Sequence, residues 1–258
     1  MSNILAESVG AARYVSAPSG MVLISSGPFL MGSDEGSDAE RPVREVWLER
    51  FYMDESLVTN LQFSKFVVET SYQTTAERAG GAWGCSGGQY SLVDGLCWRT
   101  YATPDRGQHP VVLVSWYDAQ AFAEWAGKQL PTEAQWEKAA RGGMVARYPW
   151  GDEPPTNHCN FAQPPADLPG TSPVKSFSPN PYSLYDMVGN VWQWSADSYG
   201  PYQVSMDESD SNPPSSLRVR RGGAWNVIQP FRLRCSNRGA MDASSAVPNV
   251  GFRCVMNA

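Results

Sequence analysis

The sequence predicts an α+β domain with little regular secondary structure, and three observations carry that prediction. Ten Trp, 23 Gly and 20 Pro in 258 residues describe a loop-rich chain whose core rests on aromatic anchors rather than on long elements. A hydrophobic content of 42% supplies enough apolar side chain for a substantial core at this length. Helix signals end at Gly142-Gly143, whereas short apolar strand segments occur in both halves of the chain. The expected division is a tail over residues 1–20 and a single domain over residues 21–258.

Met21–Ile24 and Phe29–Met31 read as strands around the Ser25-Ser-Gly-Pro28 turn, and Val46–Leu48 with Phe51–Met53 as a second pair. Asp34 to Glu40 reads as a solvated acidic loop. The first helix is Asn60–Thr70, where Phe63, Phe66 and Val67 share a face behind a Thr59 cap. Residues 71–108, punctuated by Gly80-Gly81, Gly87-Gly88 and Gly107, read as a long loop region of the kind that lines a site or closes over it. Gly84-Cys-Ser-Gly-Gly88 has the form of a G-x-S-x-G nucleophile elbow but shows neither the preceding strand nor the following helix that such a turn requires.

Two capping boxes, Ser115-Trp-Tyr-Asp118 and Thr132-Glu-Ala-Gln135, open helices over Trp116–Ala126 and Glu133–Arg141. Gly127 and Gly142-Gly143 end them. Beyond Tyr148, the segments Pro173-Val174, Val191–Trp194, Leu217–Arg221 and Phe252–Val255 are strand candidates. Asp207-Glu-Ser-Asp210 lacks the Gly and the closing Glu of an EF-hand loop and reads as solvated.

Charge and composition narrow the function classes. A net charge of −6 leaves no basic footprint, so nucleic acid is not expected as a partner. No run of 18 apolar residues is present, so no membrane span is expected. Residues 1–20 lack the basic flank and apolar block of a secretory signal, which gives a cytoplasmic expectation. The five cysteines (Cys85, Cys97, Cys159, Cys235, Cys254) form no C-x-x-C pair and are expected as free or buried thiols.

Leu184-Tyr-Asp-Met-Val-Gly-Asn-Val-Trp-Gln-Trp194 concentrates oxygen donors and turn formers. Gly189-Asn190 suits a sharp turn. A tight turn with hard oxygen ligands can hold Ca²⁺; on these residues alone, a polar turn feeding an apolar strand is the simpler reading.

Seven segments in fixed order then carry a family likeness. They are Gly27-Pro-Phe-Leu-Met-Gly-Ser33, His109-Pro-Val-Val-Leu-Val-Ser-Trp116, Leu130-Pro-Thr-Glu-Ala-Gln-Trp-Glu137, Tyr148-Pro-Trp-Gly151, Gly189-Asn-Val-Trp192, Arg221-Gly-Gly-Ala-Trp225 and Gly251-Phe-Arg253. Together they resemble the formylglycine-generating enzyme (sulfatase-modifying factor) family from about Met21 to Val255. The resemblance implies a C-type-lectin-like single domain and structural Ca²⁺. One implied site matches Asp186, Gly189, Val191 and Gln193, with Gln193 where the family commonly has Glu. A second matches Asn160, Phe161 and Asp167.

The catalytic part of the pattern is missing. The resemblance implies two Cu(I)-binding cysteines between the Gly-Gly segment and the following Arg-x-Arg-Cys. Here that interval, Ala224 to Cys235, has no cysteine before Cys235, and Asn226, Val227, Ile228, Gln229 and Pro230 offer no soft ligand. Ala224 stands where the family has an active-site Ser, and Trp192 keeps the oxygen-pocket Trp. Cys235 and Cys254 match cysteines that are disulfide-bonded in secreted members, but their partner positions are Ala123 and Ala140. A Cu(I) centre on a cysteine pair and oxidation of sulfatase cysteines are therefore not expected. An iron facial triad needs two His and a carboxylate, and only His109 and His158 are present; no redox metal is assigned.

Two readings follow from the resemblance. One is an oxygen-dependent oxidoreductase acting on a small molecule or a modified peptide, its pocket formed by Trp192, Ala224, Trp225, Asn226, Gln229, Phe231, Arg232, Arg234, Asn237 and Arg238, together with the 85–107 loop. The other is a non-catalytic, lectin-like module that binds a small-molecule or peptide ligand through residues 226–250. Trp136, Trp150 and Trp194 are expected as core anchors, and Trp225 as core or pocket wall.

Overall fold

The computed structural model describes residues 17–86, 89–163, 170–202 and 216–258. In chain order the elements are β1 (Met21–Ile24), β2 (Gly27–Met31), β3 (Arg44–Leu48), β4 (Phe51–Asp54), α1 (Asn60–Thr70), α2 (Thr75–Ala79), β5 (Gly81–Ser86), β6 (Gln89–Asp94), α3 (Trp98–Tyr101), α4 (Trp116–Trp125), α5 (Glu133–Arg141), β7 (Trp192–Ser198), β8 (Leu217–Arg221), β9 (Arg238–Asp242), β10 (Val250–Gly251) and β11 (Val255–Asn257). The mixture is α+β, with short elements and long connections.

Two sheets organise the domain. In the first, β4 lies between β1 and β11, antiparallel to both, so the beginning and end of the domain meet in one sheet. All four residues of β4 are buried, as a central strand requires. The second sheet runs β10-β7-β8-β9, with β10 parallel to β7 and the other pairs antiparallel. A register shift between Trp194 and Ser198 bends β7 away from β8. A ribbon of β2 and β3 and a hairpin of β5 and β6 complete the strands.

The helices begin where the capping boxes predict. Thr59 accepts the Gln62 N–H and Gln62 Oε1 returns to the Thr59 N–H at 2.9 Å; Ser115 with Asp118 and Thr132 with Gln135 do the same. Each cap contributes about 1 kcal/mol. Helices α1 and α4 pack through aromatic rings: Phe63 stacks on Phe122 at 5.9 Å and meets Trp98 edge-on at 5.1 Å. Trp98, Trp136, Trp194 and Trp225 are all fully buried, so Trp136 and Trp194 are core, and Trp225 is core rather than pocket wall. Trp150 is only half-buried, stacked between Tyr148 and His158.

Several expectations change. Residues 71–108 contain α2, the β5–β6 hairpin and α3 rather than one long loop. Pro173-Val174 forms no strand, and Phe252–Val255 is split, with β10 ending at Gly251 and β11 starting at Val255. Glu40 closes the acidic loop as a fully buried side chain, paired with Arg234 at 2.8 Å. Gly36 permits this: a Cβ there would lie 2.2 Å from the Glu40 carboxylate. Asp207–Asp210 lies outside the described residues.

A buried ionic lattice ties α5 to the second sheet. Arg221 on β8 reaches Glu133 at 2.8 Å and Glu137 at 2.5 Å, both on α5. Arg238 on β9 binds both oxygens of Glu133 at 2.6 and 2.7 Å, and Arg141 closes on Glu137 at 2.7 Å. Glu133, Glu137 and Arg141 follow at i, i+4 and i+8, so one helical face presents all three.

Candidate functional site

The Leu184–Trp194 turn is built on a saturated amide. Asp186 and Asn190 adopt the left-handed region, at φ 51° and 60°, and reverse the chain before β7. Gln193, fully buried, accepts at Oε1 from Trp136 Nε1 at 2.9 Å and Arg253 Nε at 2.8 Å. Its Nε2 donates to the carbonyls of Asp186 and Met187, both at 3.0 Å. An amide has two donors and two acceptor lone pairs, and all four are used. Gly222 allows the close approach: a Cβ there would stand 2.7 Å from Met187 O and 3.2 Å from Gln193 Nε2.

Arg253 adds a second layer. Its Nη2 donates to Tyr185 O at 2.6 Å and Asp186 O at 3.0 Å, and its Nη1 to Asp54 O at 3.1 Å. Burial pushes its guanidinium down to about 10, against the pull of Asp186 and Asp54. Burial pushes the Asp186 carboxyl up, while the Lys175 backbone N–H and the Arg253 charge pull it down.

At Gln193 this donor chemistry leaves no free oxygen for the four-residue calcium set that the resemblance implies. Gln193 Oε1 faces two N–H donors, and a donor N–H occupies the side that faces the Asp186 and Met187 carbonyls. Turning the amide over would set its NH₂ against Trp136 and Arg253 and lose all four hydrogen bonds. Gly189 is held from its N–H by Gly222 O at 2.8 Å, and Val191 is buried. In the second implied set, Asn160 Nδ2 donates to Gly170 O at 2.7 Å and Asn160 O accepts from Asn190 N at 2.8 Å. Phe161 is half-buried, and Asp167 lies outside the described residues.

The ten expected pocket residues divide between the interior and the surface. Trp192, Ala224 and Trp225 form a buried platform; Trp225 Nε1 donates to Pro248 O at 3.3 Å, and Arg220 stacks over Trp192 at 4.7 Å. Arg234 and Arg238 are committed to Glu40 and Glu133. Asn237 is buried, and Asn226 Oδ1 accepts from Asn249 at 3.0 Å. Only Gln229, Phe231 and Arg232 stand out into solvent, on a short 3₁₀ turn next to Ile228. Ile228 and Phe231 are 67% and 53% exposed.

The thiols and imidazoles are separated. Cys159, Cys235 and Cys254 are buried and unpaired, and Cys97 is half-buried and unpaired; the Cys85 side chain lies outside the described residues. Burial pushes the Cys159 and Cys235 thiols up to about 12 and raises Cys254. His109 Nδ1 meets Thr171 Oγ1 at 3.0 Å, and burial with the nearby Arg106 lowers its pKa. His158 stacks on Trp150 at 4.8 Å. Among the described residues no three His, Cys, Asp or Glu side chains form a metal-binding group, and no helix is long and apolar enough to cross a membrane.

Sequence reasoning did not foresee Trp136 and Arg253 as the partners of Gln193. Both lie in quoted segments, Leu130–Glu137 and Gly251–Arg253, but nothing in their spacing shows that three distant segments meet at one amide.

Comparison with known proteins supports the likeness. Residues 7–258 match the sulfatase-modifying factor enzyme 1-like domain. The chain is 37% identical over 282 residues to the formylglycine-generating enzyme of Bos taurus, covering 93% of this chain and 75% of that protein. It is 39% identical over 280 residues to that of Thermomonospora curvata, covering 91% and 92%. Inactive C-alpha-formylglycine-generating enzyme 2 of Bos taurus is 38% identical over 276 residues, covering 92% and 88%. Among solved structures, PvdO from Pseudomonas aeruginosa superposes with a TM-score of 0.70 at 26% identity, covering 92% of this chain and 94% of that one. This chain belongs to the sulfatase-modifying factor enzyme 1-like family, a C-type-lectin-like fold.

Proposed function

We propose that this chain is a ligand-binding member of the family that does not oxidise sulfatase cysteines, and that it contacts a small-molecule or peptide ligand through the 228–232 tip. One observation carries the reading. The interval between Gly223 and Cys235 is free of thiols and presents two large apolar side chains, Ile228 and Phe231, to solvent. Arg232 lies over the Phe231 ring at 5.8 Å, so the tip combines an apolar anchor with a charge, the composition of a contact surface. The thiolate is the form that binds metal and attacks, and Cys235 is sealed and held as a thiol.

The alternative is an oxygen-dependent oxidoreductase acting on a small molecule or modified peptide, favoured by the retained Trp192. The test has two arms. The purified chain, supplied with copper, oxygen, reductant and a sulfatase-derived cysteine peptide, is expected to leave the peptide unchanged in mass. A peptide selected on the wild-type chain from a displayed library is expected to lose at least tenfold in affinity against an Ile228→Ser/Phe231→Ser double variant of unchanged melting temperature. Formylglycine formation or substrate-dependent oxygen uptake would establish the oxidase instead.

A further inference from the structure

A cleft of about 250 Å³ opens between the start of α1 and the segment from α3 to Gly107, lined by Asn60, Leu61, Ser64, Trp98, Ala102 and Thr103 among others. It is separate from the 228–232 tip, and no residue of the tip lines it. Two of its wall residues are anomalous. Asn60 is 3% exposed and Trp98 2% exposed, yet Asn60 Oδ1 and Trp98 Nε1 have no hydrogen-bond partner. Buried polar groups are nearly always paired, and leaving one unmade is costly. Here an acceptor and a donor are orphaned in the wall of one cleft.

The identity of each orphan is fixed. Asn60 Nδ2 donates to Arg106 O at 2.9 Å, so turning the amide would bring its oxygen against a carbonyl; the free atom is an acceptor. The indole nitrogen of Trp98 is a donor only. The indole is held by Phe63 edge-on at 5.1 Å and by Arg99 over its face at 4.8 Å. Arg99 is itself engaged by Glu77 at 2.8 Å, so the cleft has no uncommitted charge at this wall.

We propose that this cleft binds a neutral carboxamide-type group, whose C=O accepts from Trp98 Nε1 and whose N–H donates to Asn60 Oδ1. A carboxylate offers no donor to Asn60, and an ammonium offers no acceptor to Trp98 and is repelled by its N–H edge. An amide supplies both along one planar edge, and the Leu61 and Ala102 side chains leave apolar wall for its substituent. Both atoms are shielded from solvent, so the proposed binding includes a turn of the Asn60 and Trp98 side chains toward the cleft.

The experiment titrates the protein, labelled at the indole nitrogens, with benzamide, benzoate, benzylamine and acetophenone while following the Trp98 indole N–H by NMR. That signal is assigned as the one lost in Trp98→Phe. Benzamide is expected to shift it saturably, with the other three binding at least tenfold more weakly. Trp98→Phe should weaken benzamide tenfold or more, as judged from the remaining ligand-shifted signals. Ser64→Leu, on the half-exposed face of α1, plugs the cleft without touching the core and should abolish the shift with an unchanged melting temperature, which keeps the test decisive if Trp98→Phe does not fold. A Trp98 signal that does not move, equal binding of all four compounds, or wild-type binding by Ser64→Leu would overturn the proposal.

Discussion

At the residue scale, Gln193 shows how one side chain sets the hydrogen bonding of a whole turn. The carbonyls of Asp186 and Met187 gather around an N–H donor, so this side of Gln193 presents partial positive charge rather than a ligand oxygen. Glu at this position would keep its bonds from Trp136 and Arg253 but point its second oxygen at two carbonyl oxygens. Gln193→Glu is therefore expected to lose roughly 2–3 kcal/mol in chelator and to recover most of it in excess calcium. Thermal melts with and without calcium check this, and a wild-type chain showing the same calcium dependence as the variant would refute it. The thiols give a second residue-scale prediction. Because Cys159, Cys235 and Cys254 are buried, with pKa values raised by that burial, iodoacetamide at pH 7.5 (about a unit below an ordinary thiol) should leave all three unlabelled in the native protein. Peptide mass mapping reads the result; rapid native labelling of Cys235 would reopen the question of a thiol chemistry there.

At the element scale, the sequence was legible wherever a local signal sufficed. The capping boxes at Thr59, Ser115 and Thr132 placed α1, α4 and α5 to within a residue, because a cap is made by side chains three residues apart. The β5–β6 hairpin was missed because Gly81 and Gly84 break the alternation by which a strand is recognised, and its pairing partner supplies the missing order. Gly81 is required there, since its Cβ would stand 2.4 Å from the Val93 carbonyl oxygen. Glu40 was misread for a related reason: its carboxylate is balanced by Arg234, which lies far along the chain. Burial pushes the Glu40 carboxyl up, but Ser236, the Ser37 N–H and Arg234 outweigh it and hold it below the usual carboxylate range. A lowered folded-state value means that this stability is present above the unfolded pKa of about 4.3 and is lost as pH falls through the folded value. Glu40→Gln should thus cost roughly 1.5–3 kcal/mol at neutral pH, with the gap to wild type closing in acid. Urea titrations at pH 7 and pH 3 (on either side of that value) measure it; a gap independent of pH would assign the loss to packing alone.

At the scale of the whole molecule, stability depends on contacts between segments that no local pattern connects. The chain ends meet on β4, and α5 is joined to β8 and β9 by charges rather than by apolar packing alone. The seven family segments were legible because their order is distinctive, but their convergence was not: Trp136, Arg221 and Arg253 belong to three of them, and only the folded core brings Trp136 and Arg253 together on Gln193 and sets Arg221 over the Trp136 ring. Arg234 and Arg238 read as free ligand contacts for the same reason, until their carboxylate partners on other elements are known. Replacing one member of a buried ionic lattice strands the others, whereas a lattice of this kind adds little over a well-packed apolar core. Arg221→Leu leaves Glu137 with Arg141 as its ion-pair partner and the Gly32 N–H as its backbone donor, and it removes the donor to Cys235 O. It is expected to cost about 3 kcal/mol or more. If α5 and the second sheet form one cooperative unit, the loss appears as a lower denaturation midpoint with an unchanged m-value in a single transition. A second, separate transition would show instead that the lattice couples two independently unfolding parts.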